Sequence, residues 1–466
     1  MLDRRLFHWE KNFTRTVLRL AVPIVVQSLM IALMHIVDNL MIGQLGEYQL
    51  AGVTQANRIT FLLQVTMFGV VSGASIFTAQ YWGKRDLAGI HRTLGLGMIT
   101  GLGVAALFAI PSVLCPEVLI RLLIHEEHAM EAGAAYLRVV GFAYLVQALS
   151  TVQAAVLKST EQVKLPMAGS ILAIVANTLL NYMLIFGKWG APRLGVTGGA
   201  IATLIGSCLE LALLLFVGYR YNLPNAARLK AFAFTRLEAK RYFRVVLPTM
   251  LNEGFWSLGM VVYSGAYGLM GASTVAAVSI YNSVEQLSSV VLRGATHACA
   301  VMIGMAIGAG REQEASLTAK RMLLGSSLAG LVGGLFVMGI SGFVVSWFNV
   351  SVETARSAHT LINTYACFLW LQALASLLIV GILRAGGDVK YAMVTDIAPV
   401  WLVGIPLVFI FGPGMGWSIQ HVYLLTRIEE LVKSVIAFGR MRSGKWIHNL
   451  IAHEAPPDAG KSSCKV

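Results

Sequence analysis

Asp38 is the residue with the clearest capacity for chemistry. It lies in the apolar stretch LMHIVDNLMIG, and no other Asp, Glu, Lys or Arg occurs from Leu20 to Gly46. A lone carboxylate at membrane depth costs several kcal/mol, about 3 on insertion scales. A carboxyl removed from water tends to keep a proton unless a cation sits beside it. Those two properties suit a group that couples a cation or proton to the movement of something else. The plainer alternative is an acid near a helix end that reaches water. His35, one turn earlier, is placed to hydrogen-bond Asp38 or simply to pack. Further along, Glu253 stands in the middle of another apolar stretch. Glu285 and Arg293 are eight residues apart, a little over two helical turns, and face roughly the same way. An intramembrane acid and base of this kind pair or line a wet cavity, and a static bridge that only holds the fold is the competing reading. Met34 and Tyr263 have the soft or aromatic character that lines an adaptable cavity.

Enzyme chemistry finds little support. The HEEH run at 125–128 places its two His three apart, whereas a zinc-protease helix needs them four apart. The phosphate-cradling loop GxxxxGK[ST] is absent, and no convergent nucleophile or metal set stands out. The chain is expected to be neither an enzyme nor a cofactor protein. The five cysteines are scattered, without metal or redox spacing, and Cys464 lies third from the end, outside a prenylation box.

The elements that carry these residues follow from composition. Of 466 residues, 56% are hydrophobic and 13% charged, about half the charge of a soluble domain, with a mean hydropathy of +0.70. Twelve apolar runs are long enough to cross a bilayer: 16–42, 49–80, 94–116, 132–157, 166–187, 196–219, 242–270, 274–308, 319–348, 357–383, 391–412 and 415–439. Without water to satisfy the backbone such runs must be helices, and barrel strands would be about half this length. The polar start MLDRRLFHWEKNFTRTV reads as an anchor that is kept, not a cleaved signal. The net charge of +13 reflects topology and not nucleic-acid binding. With the N-terminus in the cytoplasm, inside segments hold 26 Lys or Arg and outside loops hold 4, namely Arg121, Lys188, Arg193 and Arg356. That bias fits an even number of spans with both termini cytoplasmic.

The basic segment 219–244 divides the runs into two sets of six, which align at an offset of 225. Pro23 falls on Pro248, Gly46 on Gly271, Asn57 on Asn282, Gly83 on Gly308, and Gln147-Ala148-Leu149 on Gln372-Ala373-Leu374. With one residue inserted, LKSTEQVK aligns with LRAGGDVK. Six is even, so both sets start on the same side and are parallel repeats related by an axis along the membrane normal, an arrangement found in transporters. The expected organisation is a six-helix bundle over 1–218, a cytoplasmic linker over 219–241, a second bundle over 242–440 and a tail over 441–466.

Several segments in this order resemble the multidrug and toxic compound extrusion (MATE) family over 13–448. They are PIVVQSLMIALMHIVDNLMIGQLG, NTLLNYMLIFG followed by GVTGGAIAT, PTMLNEGFWSLGMVVYSGAYGLMG, ACAVMIGMAIGAG and LRAGGDVKYAMVTDIAPVWLVGIPL. The resemblance implies a bend at Pro23 and a cation site built from Asp38, Asn177, Asn181 and Thr203. Asn177 and Asn181 are four apart and share a helical face. One carboxylate with amide and hydroxyl oxygens suits a proton or a monovalent cation such as Na⁺, not a divalent ion. Family members often carry Asp where Asn181 stands, which makes H⁺ coupling at least as well supported as Na⁺. Glu253, Glu285, Arg293, Tyr263 and Met34 are the candidates for the substrate cavity. The expected function is an all-α antiporter that exports amphipathic, often cationic organic compounds from a bacterial cell across the inner membrane, working as a monomer. A flippase for a lipid-linked precursor is the alternative.

Overall fold

The computed structural model describes residues 11–226, 232–348 and 350–452. Cys464, most of the tail and the first ten residues lie outside them. Twelve long helices follow one another among the described residues: α1 Lys11–Gly43, α2 Glu47–Lys84, α3 Leu87–Leu114, α4 Glu127–Ser159, α5 Lys164–Phe186, α6 Val196–Arg220, α7 Arg236–Leu269, α8 Ala272–Gly308, α9 Glu312–Ser346, α10 Val352–Arg384, α11 Val389–Gly414 and α12 Ile419–Arg442. Eleven are long and apolar enough to span a membrane by length and composition alone. The remaining helix, α12, carries Arg427, Glu429, Glu430 and Lys433 mid-way. Glu429 and Lys433 are buried in the bundle and pair at 2.8 Å, which removes the charge from the lipid face.

Helix ends differ from the apolar runs where capping chemistry extends the helix. The linker expected over 219–241 is short. Helix α6 continues to Arg220, and α7 already begins at Arg236. Thr235 and Glu238 form a capping box there, each side chain serving the other's backbone N–H. The HEEH run has a similar local role, because Glu126 accepts from the Ala129 N–H at 2.6 Å and starts α4.

α1 to α6 pack into one bundle and α7 to α12 into the other, with α1 and α2 meeting α7 and α8 between them. Pro23 and Pro248 both lie inside their helices, at matching places in the repeat. The contact between bundles is reciprocal. Gly83 of α2 lies against Met305 of α8, and Gly308 of α8 lies against Gln80 of α2. Each contact is the other shifted by the repeat offset, as a two-fold relation requires. A Cβ on either glycine would run into the facing backbone carbonyl, so this approach needs glycine. Because the equivalent residues meet at the C-terminal ends of both helices, the axis runs along the helices. Nearer their starts, Arg58 on α2 and Ser279, Asn282, Ser283 and Gln286 on α8 are exposed. The bundles therefore touch at the end bearing the turns at 85–86 and 309–311.

A strap formed by residues 443–452 crosses this closed end. Gln80 donates to the His448 carbonyl at 3.1 Å and accepts from the Leu450 N–H at 2.9 Å. His448 N–H donates to the Gly386 carbonyl at 2.7 Å. Trp446 belongs to the apolar core of the second bundle, and Ile451 to that of the first. Trp446 is only 1% exposed, so Trp446→Ala is expected to lose about 3–5 kcal/mol. A lower unfolding temperature of the detergent-solubilised protein would report that loss.

Candidate functional site

A cavity of about 490 Å³ opens between the bundles and bears most of its polar groups on the first. Gln27, Met34, His35 and Asp38 enter it from α1, Ser72 and Ser75 from α2, and Tyr136 and Lys158 from α4. Ser170 and Asn177 come from α5, Thr203 and Glu210 from α6, His297 from α8 and Arg384 from α10.

The expected cation residues converge. Asn181 Nδ2 donates to Asp38 Oδ1 at 2.6 Å and to Asn177 Oδ1 at 3.1 Å. Asn177 Nδ2 stands 3.2 Å from Thr203 Oγ1. Turned about its amide axis, Asn177 instead places its nitrogen 2.9 Å from Asp38 Oδ1 and its oxygen toward the Thr203 hydroxyl. A nitrogen facing Asp38 stabilises the carboxylate, because a charge-assisted hydrogen bond is about twice as strong as a neutral one. Asn181 Oδ1 is buried with no partner, and a turned amide would offer that oxygen to a cation. The set thus fits one hard monovalent ion or a proton, having a single carboxylate among neutral oxygens. The helical spacing explains why α5 contributes two amides from one face, and Asn177 and Asn181 are both buried. His35 is exposed to the cavity and makes no hydrogen bond to Asp38 among the described residues.

The second-bundle candidates are arranged differently from the sequence expectation. Of the cavity candidates, only Met34 lines this cavity; Glu253, Glu285, Arg293 and Tyr263 do not. Among the described residues no ion pair joins Glu285 to Arg293. Glu285 instead accepts from Gln372 Nε2 at 3.1 Å, and Arg293 is exposed and reaches back to the Gln286 carbonyl at 3.4 Å. Sharing a face on one helix placed the two side chains on the same side but two turns apart, and a neighbouring helix supplied the nearer partner. Glu253 pairs with Arg384 at 2.9 Å, and the same guanidinium donates to Ser72 Oγ at 3.2 Å. Tyr263 donates to Glu429 Oε2 at 2.5 Å. Lys433 bridges Glu429 to Asp396 at 3.3 Å, and Asn252 donates to Asp396 at 2.9 Å. Tyr263, at the repeat position of Asp38, is therefore part of a buried network in which two carboxylates share the Lys433 ammonium.

Lys158, Glu210, His297 and Arg384 line the cavity, although the sequence reading gave them no such part. Gln27 Nε2 donates to Ser170 Oγ at 2.6 Å, and Ser170 donates to Glu210 Oε1 at 2.7 Å. Lys158 and Arg384 counted as basic loop residues because they end apolar runs. The structure turns both inward, and a π-helical segment over 377–384, a turn type frequent near functional sites, ends on Arg384. The sequence signal was present in the alignment of LKSTEQVK with LRAGGDVK, which superposes the two cations.

The MatE family profile matches residues 23–183 and 248–410, beginning at the two prolines that the internal repeat superposes. The probable multidrug resistance protein NorM of Thermotoga maritima is 21% identical over 443 residues, covering 93% of each chain. The protein of the same name in Rhizobium meliloti is 27% identical over 425 residues, covering 88% of this chain and 89% of its own. A solved multidrug resistance MATE family transporter, in an outward-facing conformation, superposes with a TM-score of 0.81 at 19% identity, over 92% of this chain and 96% of its own. Two matched repeats spanning both bundles, together with the fold they form, place this chain in the MatE family of multi-pass membrane transporters.

Proposed function

We propose that the protein is a secondary antiporter that exports amphipathic, often cationic organic compounds in exchange for H⁺ or Na⁺. The observation that carries this reading is Asp38, a carboxylate that lines the inter-bundle cavity and, among the described residues, is hydrogen-bonded by neutral amides. A deprotonated Asp38 attracts a cationic compound into the cavity. A proton or Na⁺ arriving at Asp38 removes that attraction, so compound and ion exclude one another, and this exclusion is the coupling. The probable multidrug resistance proteins among its relatives support the substrate class. The reading includes a bacterial inner-membrane location, cytoplasmic termini, a monomer as the working unit, and no cofactor, nucleic acid or enzymatic step. With that topology the bundles meet at the cytoplasmic end and the cavity faces outward. Efflux of a cationic dye from proteoliposomes, driven separately by a proton and a sodium gradient, tests it. Dye movement that follows neither gradient rejects the antiport reading.

The amide cluster gives a sharper test of the ion. Asn181→Asp puts a second carboxylate beside Asp38, where Asn181 Nδ2 now lies 2.6 Å from it. Two carboxylates at hydrogen-bond distance repel and favour a bound cation. Transport by Asn181→Asp should therefore saturate at lower Na⁺ at fixed pH than the wild type. An unchanged Na⁺ response would remove Asn181 from the ion site.

A further inference from the structure

Lys158 and Arg384 occupy the same position in the two repeats, and both reach the closed end of the one cavity. Their surroundings are related in the same way. Arg384 donates to Ser72, and the repeat mates of these two residues are Lys158 and His297. His297 borders the same part of the cavity and lies within electrostatic reach of Lys158 and Arg384. The closed end is thus a ring of Lys158, Arg384 and His297 around the two-fold relation, with the Glu210 carboxylate within electrostatic reach of Lys158.

The ring has spare donors. The Lys158 ammonium makes no hydrogen bond or ion pair to the described residues. Arg384 is 2% exposed, and while its Nη1 serves Glu253 and Ser72, its Nε is buried without a partner. Two carboxylates lie near. Glu253 is committed to Arg384. Glu210 sits within electrostatic reach of Lys158 but accepts from Ser170. The repeat mate of Glu253 is Ser28, so the first bundle has no counterpart of the Glu253–Arg384 contact, and Glu210 balances Lys158 only through space. An ammonium that lines a cavity with no carboxylate in contact keeps its hydrogen-bond donors open to whatever enters the cavity.

We propose that Lys158 and Arg384 form a subsite for an anionic group, a carboxylate or phosphate carried by an amphipathic molecule. The proposal rests on the transport reading of this cavity and narrows its substrates. Asp38 and Gln27 are eleven residues apart on α1, about 16 Å of helix. Gln27 joins the Ser170–Glu210 chain beside Lys158. The guanidinium and ammonium suit carboxylate and phosphate alike, and both lipid headgroups and free amphipaths carry these groups.

Rhodamine 110, which has a free carboxylate, and rhodamine 123, its methyl ester, isolate the anionic group on one cationic ring system. Binding to the full-length protein in nanodiscs is followed by fluorescence polarisation. Wild-type protein is expected to bind both dyes, with rhodamine 110 the tighter. Lys158→Gln should weaken rhodamine 110 at least tenfold and rhodamine 123 less than twofold, and Lys158→Arg should restore most of the loss. Competition by phosphatidylglycerol, and not phosphatidylcholine, would support the subsite with a lipid headgroup as the natural anion. Its absence would support a free amphipath. Equal weakening of both dyes, or no weakening of rhodamine 110, overturns the subsite and leaves the transport reading standing. Failure of both dyes to bind wild-type protein counts against the transport reading and removes the subsite with it.

Discussion

Asp38→Asn is expected to abolish coupled export while the protein still inserts and folds. The amide keeps the size and polarity of the side chain but holds no titratable charge. Asn181 and Asn177 retain a hydrogen-bond acceptor in the new amide oxygen, so the α1–α5 contact persists. What disappears is the charge by which compound and ion exclude each other. In proteoliposomes with a proton or sodium gradient, dye efflux should fall to the level of empty vesicles. Dye binding without a gradient should weaken for cationic dyes and lose its dependence on pH and Na⁺. A well-expressed Asp38→Asn protein with normal gradient-driven efflux would remove Asp38 from the coupling mechanism.

Glu253→Gln should have the largest effect on stability. It strands the Arg384 guanidinium, which is 2% exposed and is held at 2.9 Å by Glu253. Breaking one side of a buried pair costs about 3–5 kcal/mol in soluble proteins, because the remaining charge is left uncompensated. A clear drop in the unfolding temperature in detergent is expected, and Glu253→Gln/Arg384→Gln should recover much of it. Glu285→Gln is the control. Its partner is a neutral amide, Gln372, and Gln at 285 still offers an acceptor oxygen, so its unfolding temperature should stay near the wild type. An unfolding temperature for Glu253→Gln equal to that of Glu285→Gln would show that Arg384 is solvated by the cavity and not held by Glu253.

The sequence read well wherever one helix decides the matter. Apolar length gave the spans, and the Lys and Arg bias gave an even number of them. The repeat gave two parallel bundles, with Gly83 and Gly308 at matching positions that prove to be their reciprocal contact. Asn177 and Asn181, four apart on α5, converge as a shared helical face requires. The reading failed where helix ends and partners matter. Helix α7 begins at Arg236, before its apolar run, because a capping box and not hydropathy starts it. Lys158 and Arg384 were counted with the loops because hydropathy ends a span at the first strong charge.

Asp38 is the case where the sequence alone singled out the residue, and the structure places it at the cavity. A carboxylate with no other charge from Leu20 to Gly46 stands out in the chain whatever surrounds it, because a charge in an apolar span is costly. Glu285 and Arg293 are the opposite case. Periodicity fixes the face on which a side chain lies, but not how far a neighbouring helix is rotated or shifted along its axis. Those two quantities choose the partner. They gave Glu285 to Gln372, Glu253 to Arg384 and Tyr263 to Glu429. The same packing gathered two repeat-related cations, one from each bundle, at the closed end of a single cavity. The chain's own pattern determined the helices, their repeat and the isolated acid. Only the tertiary structure decided which charges close on each other, because that choice depends on distances between helices far apart in sequence.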